Sequence, residues 1–224
     1  MIETCVSSAV LKMVEELELG DHVALFYRNR TEQLRVMIPY IKLGLKKNER
    51  CLYIADDNSV PLILRRLEEA GVDVDDAQRR GALVVTTKCD TYLRHGVFEP
   101  ARMLSDLKEA VRQSLSMGFA GLRASGEMSW ALDLPSAVTS LLDYEMSLDN
   151  EYPGAFMALC QYDETRFPEA IVREMAALHP VVIQSGRLTR NRPRSQQSPH
   201  PVPRVPSTLP ASPAPEHAIA AAAN

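Results

Sequence analysis

Six short, mostly apolar runs punctuate this chain, each separated from the next by a segment of helical period. That alternation restricts the fold more than any other feature. The runs are HVALFY (22–27), CLYIAD (51–56), ALVVTTK (82–88), GLRASGE (121–127), FMALCQY (156–162) and VVIQSG (181–186). The segments between them predict helices over 31–47, 60–70, 100–117, 135–148 and 168–178. In the first of these, Leu34, Met37, Ile38, Ile41 and Leu45 share one face. Asn29 followed by Glu32 predicts its start, and Pro39 predicts a kink inside it. Strands with near-continuous apolar character, alternating with helices, define a three-layer α/β fold. Its sheet is mostly parallel and is covered on both faces.

The two ends read differently from this body. Residues 1–19 predict a short amphipathic helix. Lys12, Glu15, Glu16 and Glu18 interrupt its apolar residues, so it is no signal peptide. No apolar run approaches the ~20 residues needed to cross a bilayer. Cys5, Cys51, Cys89 and Cys160 are scattered, and the expectation is a cytoplasmic protein with reduced thiols. Cys51 and Cys160 lie in apolar runs and read as small buried hydrophobes. From about Arg187 the chain carries eight of the fifteen prolines, no aromatic residue and no glycine. Residues 188–224 are therefore expected to be a disordered Pro/Ala-rich tail. Five arginines and one glutamate give that end a charge of +4, against −4 for the whole chain. The body, 20–187, is thus acidic, which argues against specific nucleic-acid binding there.

In parallel α/β sheets, ligands sit beyond the carboxyl ends of the strands. The first such end is Tyr27-Arg28-Asn29-Arg30-Thr31. It lacks the Gly-rich loop through which backbone N–H groups approach phosphate. Arg28 and Arg30 either meet an anion there or stay solvated. Asp56-Asp57 either hold a cation or belong to a turn and helix cap. The fourth strand runs into Glu127, Ser129 and Trp130, where a carboxylate, a hydroxyl and the only Trp of the chain cluster. Glu127 either sits against Trp130 in a half-apolar pocket or pairs with Arg123. Trp130 is either a wall for an organic ligand or a core anchor. Gln161 and Tyr162 close the fifth strand, and His22 and His179 complete the polar set. No two His or Cys residues show metal-ligand spacing, so no zinc site is expected. No nucleophile–base set suggests catalysis, and no cofactor is expected.

These residues also carry a resemblance. HVALFY, IKLGLKKNERCLYIADD, GVDVDDAQRRGALVV, TYLRHGVFEPARML, GLRASGEMSWAL, ALCQYD and LHPVVI together resemble the MEDS family. That sensory domain is named for methanogens, methylotrophs and the dichloromethane-dehalogenase regulator. The resemblance spans roughly 20–187. It implies a RecA/KaiC-like fold with a degenerate P-loop and a role in prokaryotic signal transduction. Small hydrocarbon derivatives are the implied ligands. By motif position it points to His22, Tyr27, Glu127, Trp130, Gln161, Tyr162 and His179.

The expectation is thus a non-catalytic domain that binds a small organic ligand through His22, Tyr27, Arg28, Glu127, Ser129, Trp130, Gln161, Tyr162 and His179. Family members often sit beside a DNA-binding or kinase module. Only about twenty residues precede this domain, so output is expected through a signalling partner protein, a homo-oligomer or the tail. Two other readings stand beside it: a residual RecA-like nucleotide-binding protein or ATPase, and an interaction module acting through its Pro-rich tail.

Overall fold

The computed structural model describes residues 8–134, 137–148 and 154–191. Seven strands form one sheet in the order β3-β2-β4-β5-β1-β6-β7. They are β1 (His22–Tyr27), β2 (Arg50–Ala55), β3 (Leu83–Thr87), β4 (Leu122–Glu127), β5 (Phe156–Asp163), β6 (Val181–Gln184) and β7 (Arg187–Arg190). All neighbouring pairs are parallel except β6–β7. The helices are α1 (Ser8–Glu15), α2 (Arg30–Lys46), α3 (Val60–Glu69), α4 (Val74–Arg79), α5 (Pro100–Ser116), α6 (Ala137–Leu148) and α7 (Glu169–Leu178).

Side-chain alternation along the strands splits the core in two. Val23, Leu25, Tyr27, Tyr53 and Leu159 pack with α1, α2, α3 and α4 on one face. Ala24, Phe26, Ile54, Cys160 and Tyr162 pack with α5, α6 and α7 on the other. The three-layer, mostly parallel α/β architecture read from the sequence is the observed one. All six residues of β1 and all six of β4 are buried. The polar members of β4 therefore need partners inside the protein. Arg123 finds Glu49, and its guanidinium lies 4.6 Å over the Tyr40 ring. The alternative pairing of Arg123 with Glu127 does not occur.

Helix α2 carries Pro39 within its span, as the sequence predicts. Two local features depart from the sequence reading. First, α4 is not among the predicted helices; Asp73 caps it by accepting the Asp76 N–H at 2.9 Å. Second, the sheet does not end at residue 187. Ser185 and Gly186 both adopt positive φ (50° and 72°), the geometry of a two-residue hairpin turn, and β7 returns antiparallel to β6. Arg190 then pairs with Asp21 at 2.8 Å, and the Asn191 side chain donates to the Ala176 and His179 carbonyls. The first residues assigned to the tail thus belong to the sheet. The disorder expected of the tail falls on 192–224, outside the described residues, as do 1–7 and the predicted helix start at Pro135. Among the described residues, no helix is long and apolar enough to cross a membrane.

Candidate functional site

The nine residues singled out from the sequence divide between the two faces of the sheet. Tyr27, Arg28, Glu127, Ser129 and Gln161 gather at the carboxyl ends of β1, β4 and β5. His22, Tyr162 and His179 surround a carboxylate on the opposite face. Trp130 joins neither group.

At the strand ends, Glu127 is fully buried at the end of β4. Tyr53 donates its phenol to Oε1, and the Asn58 side-chain amide donates to the same oxygen at 2.8 Å. The backbone N–H groups of Asp56 and Asn58 donate to Oε2 at 3.2 and 3.0 Å. A chain of side-chain amides continues inward. Asn58 donates to Gln33 (2.8 Å), Gln33 to Gln161 (3.0 Å), and Gln161 to the Ser125 hydroxyl (2.9 Å). Burial pushes the Glu127 carboxyl above its ordinary range, against the opposing pull of Tyr53 and Asn58. Burial also raises the Tyr27 phenol, helped by Glu127, Asp163 and Asp57, while the Ser129 hydroxyl pulls the other way. Asp56 Oδ2 and Asn58 Oδ1 are buried here without a hydrogen bond. The acids after β2 pair with cations of the chain: Asp56 with Lys88, and Asp57 with Arg166 at 2.7 Å.

The helix N-terminus after β1 is capped by Asn29. Asn29 Oδ1 accepts the Glu32 N–H at 3.0 Å, and the Glu32 carboxylate accepts the Arg28 N–H at 3.0 Å. This is the start that Asn29 and Glu32 predicted, and the cap takes one first-turn amide, that of Glu32. Arg28 is exposed and engaged with the Glu164 carboxylate.

Trp130 is completely buried. It stacks on Tyr92 with ring centroids 5.0 Å apart and meets Phe98 at 4.6 Å. It is thus a core anchor on the α5–α6 side, and the expected pocket shared by Glu127 and Trp130 is not formed. The cause is alternation: Glu127 points to the α2 face, and the chain then turns into a short 3-10 helix, Ser129–Leu132, that carries Trp130 to the other. A narrow apolar recess with room for about one water lies beside this aromatic group, lined by Tyr92, Met103, Met128, Tyr144 and Cys160 among others.

The second cluster centres on Glu145 of α6, also fully buried. His22 Nε2 lies 2.9 Å from Oε2, His179 Nε2 lies 3.4 Å from it, and the Cys160 thiol donates to it at 3.4 Å. Tyr162 donates to Oε1 at 2.6 Å. The two imidazole rings stand 4.1 Å apart. Burial alone would raise the Glu145 carboxyl, but His179 and His22 overcome it and hold the group well below the carboxylate range. Burial and the neighbouring His22 push His179 down. Two imidazoles, a thiol and a carboxylate make a donor set that fits a soft divalent metal. The spacing argument against a zinc site does not apply to this arrangement. The donors converge from elements far apart in the chain, His22 and Cys160 being separated by 138 residues.

Sequence reasoning missed Glu145 and took Cys160 for a buried hydrophobe. A signal existed: Glu145 falls on the stripe formed by Val138, Leu141 and Leu148. A carboxylate on an apolar helix stripe requires a buried partner. Tyr53, inside β2, and Gln33, in the first turn of α2, gave no comparable signal.

The fold is that of the KaiC-like α/β class. A KaiC-like protein from Pyrococcus horikoshii superimposes with a TM-score of 0.52 at 15% identity, over 73% of this chain and 70% of that one. An uncharacterized protein from the same archaeon, crystallised with an unknown peptide, gives 0.57 at 12% identity, over 76% and 79%. At such identities the likeness concerns the fold. Within that class the chain belongs to the MEDS family, the methanogen/methylotroph, DcmR sensory domain, whose model matches residues 21–180. The transcriptional repressor DcmR of Methylorubrum extorquens is 29% identical over 150 residues. The match takes in 66% of this chain and 54% of that protein, so the chain spans about half the length of its curated relative. A sensory and regulatory role follows from the family.

Proposed function

We propose that this chain is a non-catalytic sensory module that binds a small organic molecule and reports its presence to a regulatory partner or to a second copy of itself. The ligand site is the carboxyl edge of β1, β4 and β5, with Tyr27, Glu127, Ser129 and Gln161 facing it. The observation that carries this reading is a pair of buried acceptors without a hydrogen bond at that edge, Asp56 Oδ2 and Asn58 Oδ1, which a hydrogen-bonding ligand can meet. The loop after β1, Tyr27-Arg28-Asn29-Arg30-Thr31, offers no glycine through which a phosphate could approach its amides. Signalling requires that the ligand favour one of two conformations.

The experiment is a thermal-shift panel of nucleotides with Mg²⁺ and small alcohols, halides, acids and diols. At a ligand concentration near 100 times Kd, a binder stabilises by roughly 2.7 kcal/mol. For a chain of this length that is a rise of several degrees. A rise with an organic compound, lost in Glu127→Gln, supports the module. A rise with ATP-Mg²⁺ alone, with saturable hydrolysis, replaces it with a nucleotide-binding reading.

A further inference from the structure

We propose that His22, Glu145, Cys160 and His179 form a closed, four-ligand zinc centre. Bond lengths of about 2.0–2.2 Å to nitrogen and oxygen and about 2.3 Å to sulfur place neighbouring donors of a tetrahedral ion about 3.4–3.6 Å apart. Cys160 Sγ lies 3.6 Å from His22 Nε2 and 3.4 Å from Glu145 Oε2, and His179 Nε2 lies 3.4 Å from the same oxygen. All four donor atoms fall within 4.8 Å of one another, and all four residues are buried. Of these four contacts the His22–Glu145 one, at 2.9 Å, is tighter than an ion requires. Opening it by about half an ångström, and drawing in any pair that stands near the 4.8 Å limit, would bring the donors to tetrahedral spacing.

The surrounding groups orient the donors as an ion demands. His179 Nδ1 contacts the Met175 carbonyl at 2.7 Å. A carbonyl only accepts, so Nδ1 carries the proton, and in the neutral ring Nε2 presents its lone pair to the cluster. That Nε2 makes no hydrogen bond. Tyr162 donates to Oε1 of Glu145, which leaves Oε2 for the ion. The charges also close. A divalent cation, one carboxylate, one thiolate and two neutral imidazoles sum to zero, with the Cys160 thiol proton passing to solvent. The site is then neutral in a region where a net charge is costly. A thiolate with two imidazoles selects zinc over calcium or magnesium, which favour oxygen. Because the protein supplies every ligand, the ion is structural. It ties α6 and the α7–β6 junction to β1 and β5.

The test uses the full chain, stripped with a chelator and titrated first with Co²⁺ and then with Zn²⁺. One cobalt per chain is expected. It should show the visible bands of a tetrahedral site and a thiolate-to-cobalt charge-transfer band in the near ultraviolet, all bleached by one equivalent of zinc. Cys160→Ser should lose the charge-transfer band, while serine at Cys5, Cys51 or Cys89 keeps it. His179→Asn should weaken binding at least tenfold. Should these variants fail to fold, the unaltered chain decides by itself. No tetrahedral cobalt spectrum at micromolar metal, or one without the thiolate band, overturns the centre; so does a thiolate band that survives in Cys160→Ser.

Discussion

Glu127 and Glu145 are both fully buried carboxylates, one on each face of the same sheet. Glu127 is met by neutral donors: a phenol, a side-chain amide and two backbone N–H groups. Glu145 is met by two imidazoles, a thiol and a phenol. Burial raises the first carboxyl beyond what its donors recover, whereas the imidazoles hold the second well below its ordinary range. Neutral donors satisfy lone pairs without supplying charge, so burial still favours the protonated acid. Imidazoles can supply charge, so the carboxylate remains an anion in want of a cation. One polar cluster suits a neutral organic ligand; the other suits a metal ion or a proton-bearing imidazole.

The largest effect that separates the two clusters is expected from Glu145→Gln in the chelator-treated chain. Glu145 accepts from Tyr162 and Cys160 and faces His22 Nε2, and an amide nitrogen in its place leaves buried donors without an acceptor at about 1–3 kcal/mol each, so the total should be about 3 kcal/mol or more. Urea unfolding measures it. A loss below about 1 kcal/mol would mean the imidazoles are not held by Glu145, and the contrast between the faces would collapse.

A smaller loss is expected where the α5–α6 face meets β4. A Cβ built on Gly126 would overlap the Tyr92 hydroxyl. Tyr92 cannot swing away, since it is buried and stacked on Trp130 at 5.0 Å. Gly126→Ala should therefore cost about 1–3 kcal/mol through overpacking. Tyr92→Phe removes the overlapping oxygen, so the double variant should recover most of that loss. If the double variant is no better than Gly126→Ala, the strand backbone and not the aromatic stack is the constraint.

The sequence made the layers legible because they rest on period: β1 through β6 all fall within a residue or two of their predicted runs. The Asn29–Glu32 cap was legible because its two partners sit three residues apart. What was hidden depends on contact between distant elements. The strand-end rule placed Glu127 correctly but could not say that Tyr53 and Asn58 would enclose it. It also could not separate Gln161 from Tyr162, adjacent residues that alternation sends to opposite faces. Glu145 escaped notice because a motif search follows local spacing, while this cluster is assembled by His22, Cys160 and His179 from three other elements. The Ser185-Gly186 turn was a local signal. The charge and proline content that followed it hid the β7 hairpin.

The smallest of the three effects concerns Glu127 itself, and it tests burial against hydrogen bonding. In Glu127→Gln, one amide nitrogen replaces an acceptor that faces donors. Tyr53 and Asn58 can turn their polar groups in response, so the loss should be about 1 kcal/mol near the acidic end of the stability range. The informative quantity is how that gap changes with pH. The folded carboxyl is raised above its ordinary value of 4.5. The protonated acid therefore favours folding, and its contribution is fully present below 4.5. It is lost as pH rises through the folded value. The parent's advantage over Glu127→Gln should thus shrink from acidic toward neutral pH in parallel urea titrations. Parallel curves would place the carboxyl at its ordinary value. A gap that widens with pH would mean that the four donors outweigh burial, that Glu127 is held as an anion, and that the two faces of the sheet are electrostatically alike.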